Sequence, residues 1–254
     1  MCGRYALSAD RDALALEFEV DAVSDTRLPA RWNISPTSDI YIVTEQPENE
    51  GLRREMVVAR WGLVPPWADD PSIGARMINA RSETIASKPA FRRAFARRRC
   101  LIPADGWYEW QEVRTSGGKP VKQPYYLSRA DGGRAAFAGV YEWWRPPGAA
   151  EDAAALLTAA LLTTDAVGPA AQVHNRMPVL LHSPMWHDWL DPMATSESVI
   201  QVLAGAVAAL PGTAIATRSV AVAVNNARTE GPGLVEPAPA IEAAMPLPEQ
   251  DRLF

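Results

Sequence analysis

The chain has 254 residues, of which 48% are apolar and 22% charged, and it carries a formal charge of −5. This is an ordinary globular composition with length enough for one substantial core, so disordered and fibrous classes are excluded, as is a protein that coats nucleic acid indiscriminately. Its longest apolar stretch, Ala153 to Leu162, is ten residues broken by Thr158, well short of the roughly 20 that span a bilayer.

At the start of the chain, Cys2 follows Met1 directly, and no signal-peptide core comes after it. Methionine before a small residue is normally trimmed, so the expected mature terminus is Cys2, with an α-amine and a thiol on adjacent carbons. Their reference pKa values, ~7.7–8.0 and ~8.5, leave a useful fraction of both nucleophilic at neutral pH. An aldehyde attacked by such an amine gives an imine, which the thiol can close into a thiazolidine. Ser8 reads as the N-cap of a helix over Asp10 to Phe18. Strands follow at Asp39 to Thr44 and Glu55 to Trp61.

Between these elements lie Arg31-Trp32-Asn33-Ile34-Ser35-Pro36 and Trp61-Gly62-Leu63-Val64-Pro65-Pro66-Trp67. Both are loop-like and mix stacking faces with Arg and Asn donors, as single-stranded nucleic acid binding requires, although core packing accounts for many tryptophans equally well. In Ile78-Asn79-Ala80-Arg81, an extended backbone would put Asn79 and Arg81 on one side. The run Lys88 to Arg99 holds six basic residues and no acid. It could track phosphates, or form a solvated helix face with Phe91 and Phe95 turned inward.

Strands at Arg99 to Ile102, Trp107 to Val113, Pro124 to Arg129 and Ala135 to Glu142, joined by turns at Ser116-Gly117-Gly118 and Asp131-Gly132-Gly133, predict an antiparallel meander. Within it Glu109 sits between aromatics, where desolvation would raise its pKa and suit it to acid–base work; an exposed strand position is the competing reading. Another strand is expected over Ala154 to Thr164, and His174 and Arg176 precede an apolar strand beginning at Met177. Ser183-Pro184 opens a short helix through Leu190, Ser196 to Ala209 is a second helical stretch, and Ala214 to Val224 returns as a strand. Beyond about Pro237 the chain reads as a tail. Two cysteines, Cys2 and Cys100, make no disulfide framework, and His174, His182 and His187 offer no zinc spacing, so no metal or cofactor is expected.

Six segments in order, Met-Cys-Gly-Arg-Tyr at 1–5, Trp-Asn-Ile-Ser-Pro at 32–36, Trp-Gly-Leu-Val-Pro at 61–65, Asn-Ala-Arg-Ser-Glu-Thr at 79–84, Gly-Trp-Tyr-Glu-Trp at 106–110 and His-Asn-Arg-Met-Pro at 174–178, resemble the SOS response-associated peptidase (SRAP) family. The resemblance implies a single α+β domain over 2–238 with a curved, barrel-like antiparallel sheet and a few short helices, followed by a flexible tail, 239–254. It also implies an abasic-site sensor that binds single-stranded DNA and forms a covalent thiazolidine cross-link through Cys2, with lyase activity as a side reaction. Cys2, Asn79, Glu109 and His174 match the family's active-site residues. Arg4, Asn33, Trp61, Trp67, Arg81, Trp110 and Arg176 are the expected DNA contacts. A Cys2-dependent thiol autopeptidase and a non-covalent single-strand binding module are the alternatives. The terminal Gln250-Asp251-Arg252-Leu253-Phe254 resembles a short sliding-clamp docking motif, with Gln250, Leu253 and Phe254 as its anchors. The expected protein is a cytoplasmic monomer, drawn to the nucleoid when DNA is damaged, with no membrane partner.

Overall fold

A computed structural model of the protein describes residues 2–48, 51–114, 119–150, 152–210 and 215–241. In chain order the strands are β1 (Tyr5–Leu7), β2 (Ala22–Val23), β3 (Arg31–Ile34), β4 (Asp39–Glu48), β5 (Gly51–Trp61), β6 (Asn79–Arg81), β7 (Arg99–Ala104), β8 (Gly106–Arg114), β9 (Pro120–Arg129), β10 (Ala135–Trp144), β11 (Leu156–Asp165), β12 (Arg176–Pro178) and β13 (Ile215–Ser219). The helices are short: α1 (Arg11–Glu17), α2 (Arg92–Arg97), α3 (Gly168–Ala171), α4 (Trp186–Leu190) and α5 (Ser196–Ala208). The fold is therefore α+β, mostly strands with few short helices.

Two sheets make the body of the molecule. In the larger one, β11, β10, β7, β4 and β5 are neighbours in that order, and β5 returns to pair with β11 in parallel, Arg60 opposite Thr158 and Trp61 opposite Ala159. The sheet thus curls until it closes on itself. β11 is central and buried along most of its length, which explains its alanines: Ala159 and Ala160 are fully buried where a large side chain would not fit. The second sheet runs β13-β9-β8-β1-β3 and covers one side. Tyr5, Trp61, Trp107 and Phe137 pack edge to face between the two, with Tyr5 and Trp61 centroids 5.3 Å apart.

The expected meander is not formed. β7 and β10 pair with each other in the closed sheet, whereas β8 and β9 pair in the other. The chain changes sheets at Asp105, a single residue between β7 and β8. Its N–H donates to Ala6 O, its carboxylate accepts from the backbone and hydroxyl of Ser8 at 2.6 and 2.7 Å, and Arg134 holds its other oxygen at 3.1 Å. Asp131-Gly132-Gly133 consequently links the two sheets rather than closing a hairpin, while Ser116-Gly117-Gly118 lies outside the described residues. The same contact removes Ser8 from capping duty. Asp10 caps α1, accepting from Asp12 and Ala13 N–H at 2.9 Å. Of the strand expected over 214–224, only β13 forms, and Val222–Asn225 winds into a 3-10 turn whose Val224 carbonyl accepts from the Asn33 amide at 3.3 Å.

One loop matters for the site. Gly62 has φ 130° and lies so close to Gly74 that a Cβ on it would be 2.5 Å from Gly74 O. That close approach lets Gly62 N bond Ala159 O and lets the Trp61 indole N–H reach Ile78 O at 3.0 Å, next to Asn79. Gly62→Ala meets both a left-handed backbone and a backbone clash, so thermal unfolding should report a loss of about 2–4 kcal/mol. A change under 0.5 kcal/mol would contradict this packing.

Candidate active site

Four polar groups converge where β1 begins, at the meeting of the two sheets. Cys2 lies just before β1, is fully buried, and its Sγ approaches Arg4 O at 3.8 Å. β6 runs parallel to β11, with Asn79 opposite Leu161. From there the Asn79 amide N–H donates to Cys2 O at 2.8 Å, and its Oδ1 meets no donor among the described residues. β8 supplies Glu109, which is only 2% exposed between Tyr108 and Trp110, so the exposed-strand reading fails. The loop between α3 and β12 brings His174, whose Nδ1 is 3.9 Å from Glu109 Oε2.

Burial sets the electrostatics. It raises the Glu109 carboxyl to about 7, against the opposing pull of the chain's positive amino terminus. It also pushes the Cys2 thiol well above its ordinary value, and the Glu109 charge pushes further, which makes the two electrostatic neighbours. For His174 burial acts the other way and lowers the imidazole. Nδ1 lies 3.0 Å from the Arg176 N–H and 3.3 Å from the Arg176 O, and acceptance at the shorter distance favours a neutral ring with its proton on Nε2. A carboxyl raised to about 7 beside an imidazole whose charged form burial disfavours gives the site a proton acceptor and a neutral hydrogen-bond donor.

The expected DNA contacts divide into two groups. Trp67 is 57% exposed and shares a cleft of about 280 Å3 with Arg92 and Arg93. Arg81 is exposed on the same strand face as Asn79, one residue either side of buried Ala80. Trp110 is partly exposed beneath Arg4, whose guanidinium carbon is 5.9 Å from the ring centroid. Arg4 itself bridges Asn33 Oδ1 at 2.7 Å and Val224 O at 2.9 Å.

The other group is internal. Trp61 is fully buried with its N–H engaged, so it has no face for a base. Asn33 is equally buried, and its amide nitrogen reaches Asn226 O and Thr229 O, both at 3.0 Å; it organises the 222–229 segment instead of meeting phosphate. Arg176, 7% exposed, is held by Glu83 and Asp165, each at 2.6 Å, so its charge is already paired within the protein. The basic run splits likewise. Arg97 and Arg99 bond carbonyls and Arg98 pairs with Glu142 at 2.5 Å, whereas Lys88, Arg92 and Arg93 make no side-chain bond among the described residues. Glu83 falls in the matching 79–84 segment without a role assigned to it, and Asp165 and Glu230 carry no motif; Glu230 holds Arg31 and the Trp32 N–H, both at 2.9 Å. Only their long-range partners identify them. A cleft of about 470 Å3 around Trp32, Asp105 and Arg134 holds none of the four converging groups. Among the described residues no cluster of side chains could hold a metal ion, and no helix is long and apolar enough to cross a membrane.

A sequence model of the SOS response associated peptidase family matches residues 1–227. The chain belongs to the SRAP family. Among curated proteins this SRAP chain is similar to the abasic site processing proteins YoaM of Bacillus subtilis, at 36% identity over 80% of the chain and 85% of the relative, and YedK of Escherichia coli, at 29% over 93% and 100%. It is also similar to the chicken abasic site processing protein HMCES, at 28% over 97% and 80%. Among solved structures, a Bacteroides thetaiotaomicron protein shares the fold with a TM-score of 0.73 at 22% identity, covering 93% of this chain and 100% of the other. A phage-related protein from Bordetella bronchiseptica gives 0.60 at 33%, covering 86% and 94%.

Proposed function

We propose that this SRAP chain processes abasic sites in single-stranded DNA by forming a thiazolidine between the mature Cys2 terminus and the ring-opened sugar. The observation that carries the reading is the convergence of Cys2, Asn79, Glu109 and His174 at one buried point, in a family whose similar members are named for abasic sites.

Removal of Met1 exposes the Cys2 amine. As the C1′–O4′ bond of the sugar breaks, the C1′ hydroxyl gives its proton to Glu109 and O4′ takes one from a water held by His174 Nε2–H; Glu109 returns its proton to the hydroxide so formed, and the imidazole stays neutral throughout. The amine then attacks the C1′ aldehyde and water leaves, giving an imine. Sulfur adds to the imine carbon, the thiol proton passes to nitrogen, and the ring closes with no change of oxidation state. Asn79 fixes the reacting residue through its carbonyl and presents Oδ1 to the ammonium. Closing the ring removes the imine that would otherwise lead to β-elimination and strand cleavage, so lyase activity is the minor path.

A thiol peptidase would need a thiolate beside its base. Burial and the Glu109 charge work against a Cys2 thiolate, and His174 Nδ1 is engaged by the Arg176 amide, which favours aldehyde trapping over hydrolysis. The strand runs past Trp110, Arg81, Trp67, Arg92 and Arg93. Trp67→Ala should weaken binding of undamaged single-stranded DNA by about 5–100-fold. Arg92→Ala should lower the slope of log affinity against log salt by about 0.7. Fluorescence anisotropy across a salt series checks both, and unchanged values would reject that path.

The SRAP domain is taken as 2–238. Residues 250–254 lie outside the described residues and are proposed to dock on the replicative sliding clamp; a clamp pull-down unaffected by their deletion would contradict this.

A further inference from the structure

Arg176 is tethered through both terminal nitrogens of its guanidinium, while its buried Nε meets no acceptor among the described residues. Its terminal nitrogens donate to Glu83 Oε1 and Asp165 Oδ1, both at 2.6 Å, and to Glu83 Oε2 at 2.9 Å and Thr163 O at 2.7 Å. Those partners belong to separate elements. Asp165 ends β11 and sits directly opposite Arg176 on β12, while Glu83 follows β6, which pairs with β11 on its other side. One guanidinium therefore ties three strands at the point where β12 begins. The main chain of Arg176 is where this matters, because its N–H donates to His174 Nδ1 at 3.0 Å. The same turn is fixed from the other side, as His174 N bonds Ala170 O and Ala166 N bonds Asn175 O, both at 3.0 Å.

We infer that Glu83 and Asp165 are positioning residues that act through Arg176 to fix the tautomer and aim of His174. With Arg176 tethered, its amide is presented to Nδ1 and the imidazole turns Nε2–H outward. With it released, β12 can shift relative to β11 and the ring loses its fixed acceptor contact. The charged groups that face His174 are Glu109 at 3.9 Å, Arg176 and the amino terminus, and the two carboxylates neutralise the second of these. The inference rests on the proposed role of His174 for its kinetic consequence but not for its structural one.

Asp165 is 86% exposed on its side chain, so it can be changed without opening the core. The first measurement uses nitrogen-15-labelled full-length protein without DNA. Imidazole NMR of the parent protein should show one His174 tautomer, with the proton on Nε2. In Asp165→Asn, and more fully in Glu83→Gln with Asp165→Asn, the signals should average between tautomers and the titration of the ring should move. Asp165→Glu should restore the parent pattern.

The second measurement is the rate of cross-linking to an abasic single-stranded oligonucleotide across pH. The double variant should be slower by about 10-fold near pH 7, and its pH profile should move with the ring titration. Folded variants with unchanged His174 signals and an unchanged profile would overturn the inference. So would tighter binding of undamaged DNA by Asp165→Asn with the tautomer intact, which would make the carboxylates a mask over a phosphate clamp. Failure of the parent protein to cross-link would sink the functional proposal and leave the NMR result to decide the positioning role alone.

Discussion

Cys2→Ala should abolish the heat-stable adduct with abasic single-stranded DNA, by at least about 100-fold in yield, while leaving the protein able to engage the lesion. Methionine before alanine is trimmed as readily as before cysteine, so the variant keeps a terminal amine in the same place. Asn79 holds the carbonyl of residue 2, not its side chain, and that bond survives the substitution. The amine can still form an imine, which borohydride will trap, but there is no sulfur to close the ring. The variant should therefore convert from shielding the strand to cutting it, with β-elimination products rising on a denaturing gel as the stable adduct disappears. A heat-stable adduct at parent yield would mean that sulfur plays no part.

Glu109→Gln should show two effects of opposite sign. The amide cannot accept a proton, so cross-linking should slow by about 100-fold or more at pH 7. Stability should move the other way. The folded-state pKa of Glu109 is raised from the ordinary 4.5 to about 7 by burial. Between those values the folded protein binds more protons than the unfolded chain, so stability falls as pH rises through the window, and the penalty is fully present above pH 7. The glutamine variant escapes it. Thermal melts should place Glu109→Gln above the parent by on the order of 2–3 kcal/mol at pH 8, and level with it below about pH 4.5. A variant less stable than the parent at pH 8 would contradict the desolvation account. A residue whose loss stabilises the fold and disables the chemistry is held there for the chemistry.

The parts of the site that could be read from sequence are those whose surroundings are local. Glu109 lies in an aromatic-rich strand, which marks the segment as buried, although Tyr108 and Trp110 themselves turn to the opposite face from its carboxylate. Asn79 and Arg81 share a face because strand geometry alternates, whatever the strand pairs with. The alanine-rich β11 was legible as a strand by its length and flanks despite poor intrinsic preference.

What could not be read depends on partners far along the chain. The change of sheet at Asp105 is decided by Ser8, Ala6 and Arg134. The same contacts turn a plausible meander into two interleaved pairs and a plausible helix cap into a loop tie. Trp61 and Trp67 stand only six residues apart, yet one is fully buried and the other open, because only Trp61 is on the parallel seam where β5 meets β11. Asn33 and Arg176 were matched to DNA by motif, but their partners, the 222–229 carbonyls and the Glu83–Asp165 pair, are visible only once the strands are assembled.

The central claim is that the nitrogen and sulfur of Cys2 together capture an aldehyde. Intact mass spectrometry of the parent protein, mixed with a uracil-excised single-stranded oligonucleotide and denatured by heat, tests it most directly. The account predicts one adduct whose mass equals the chain without Met1 plus the abasic strand, less one water. An adduct that retains Met1, or no covalent species at all, would contradict it.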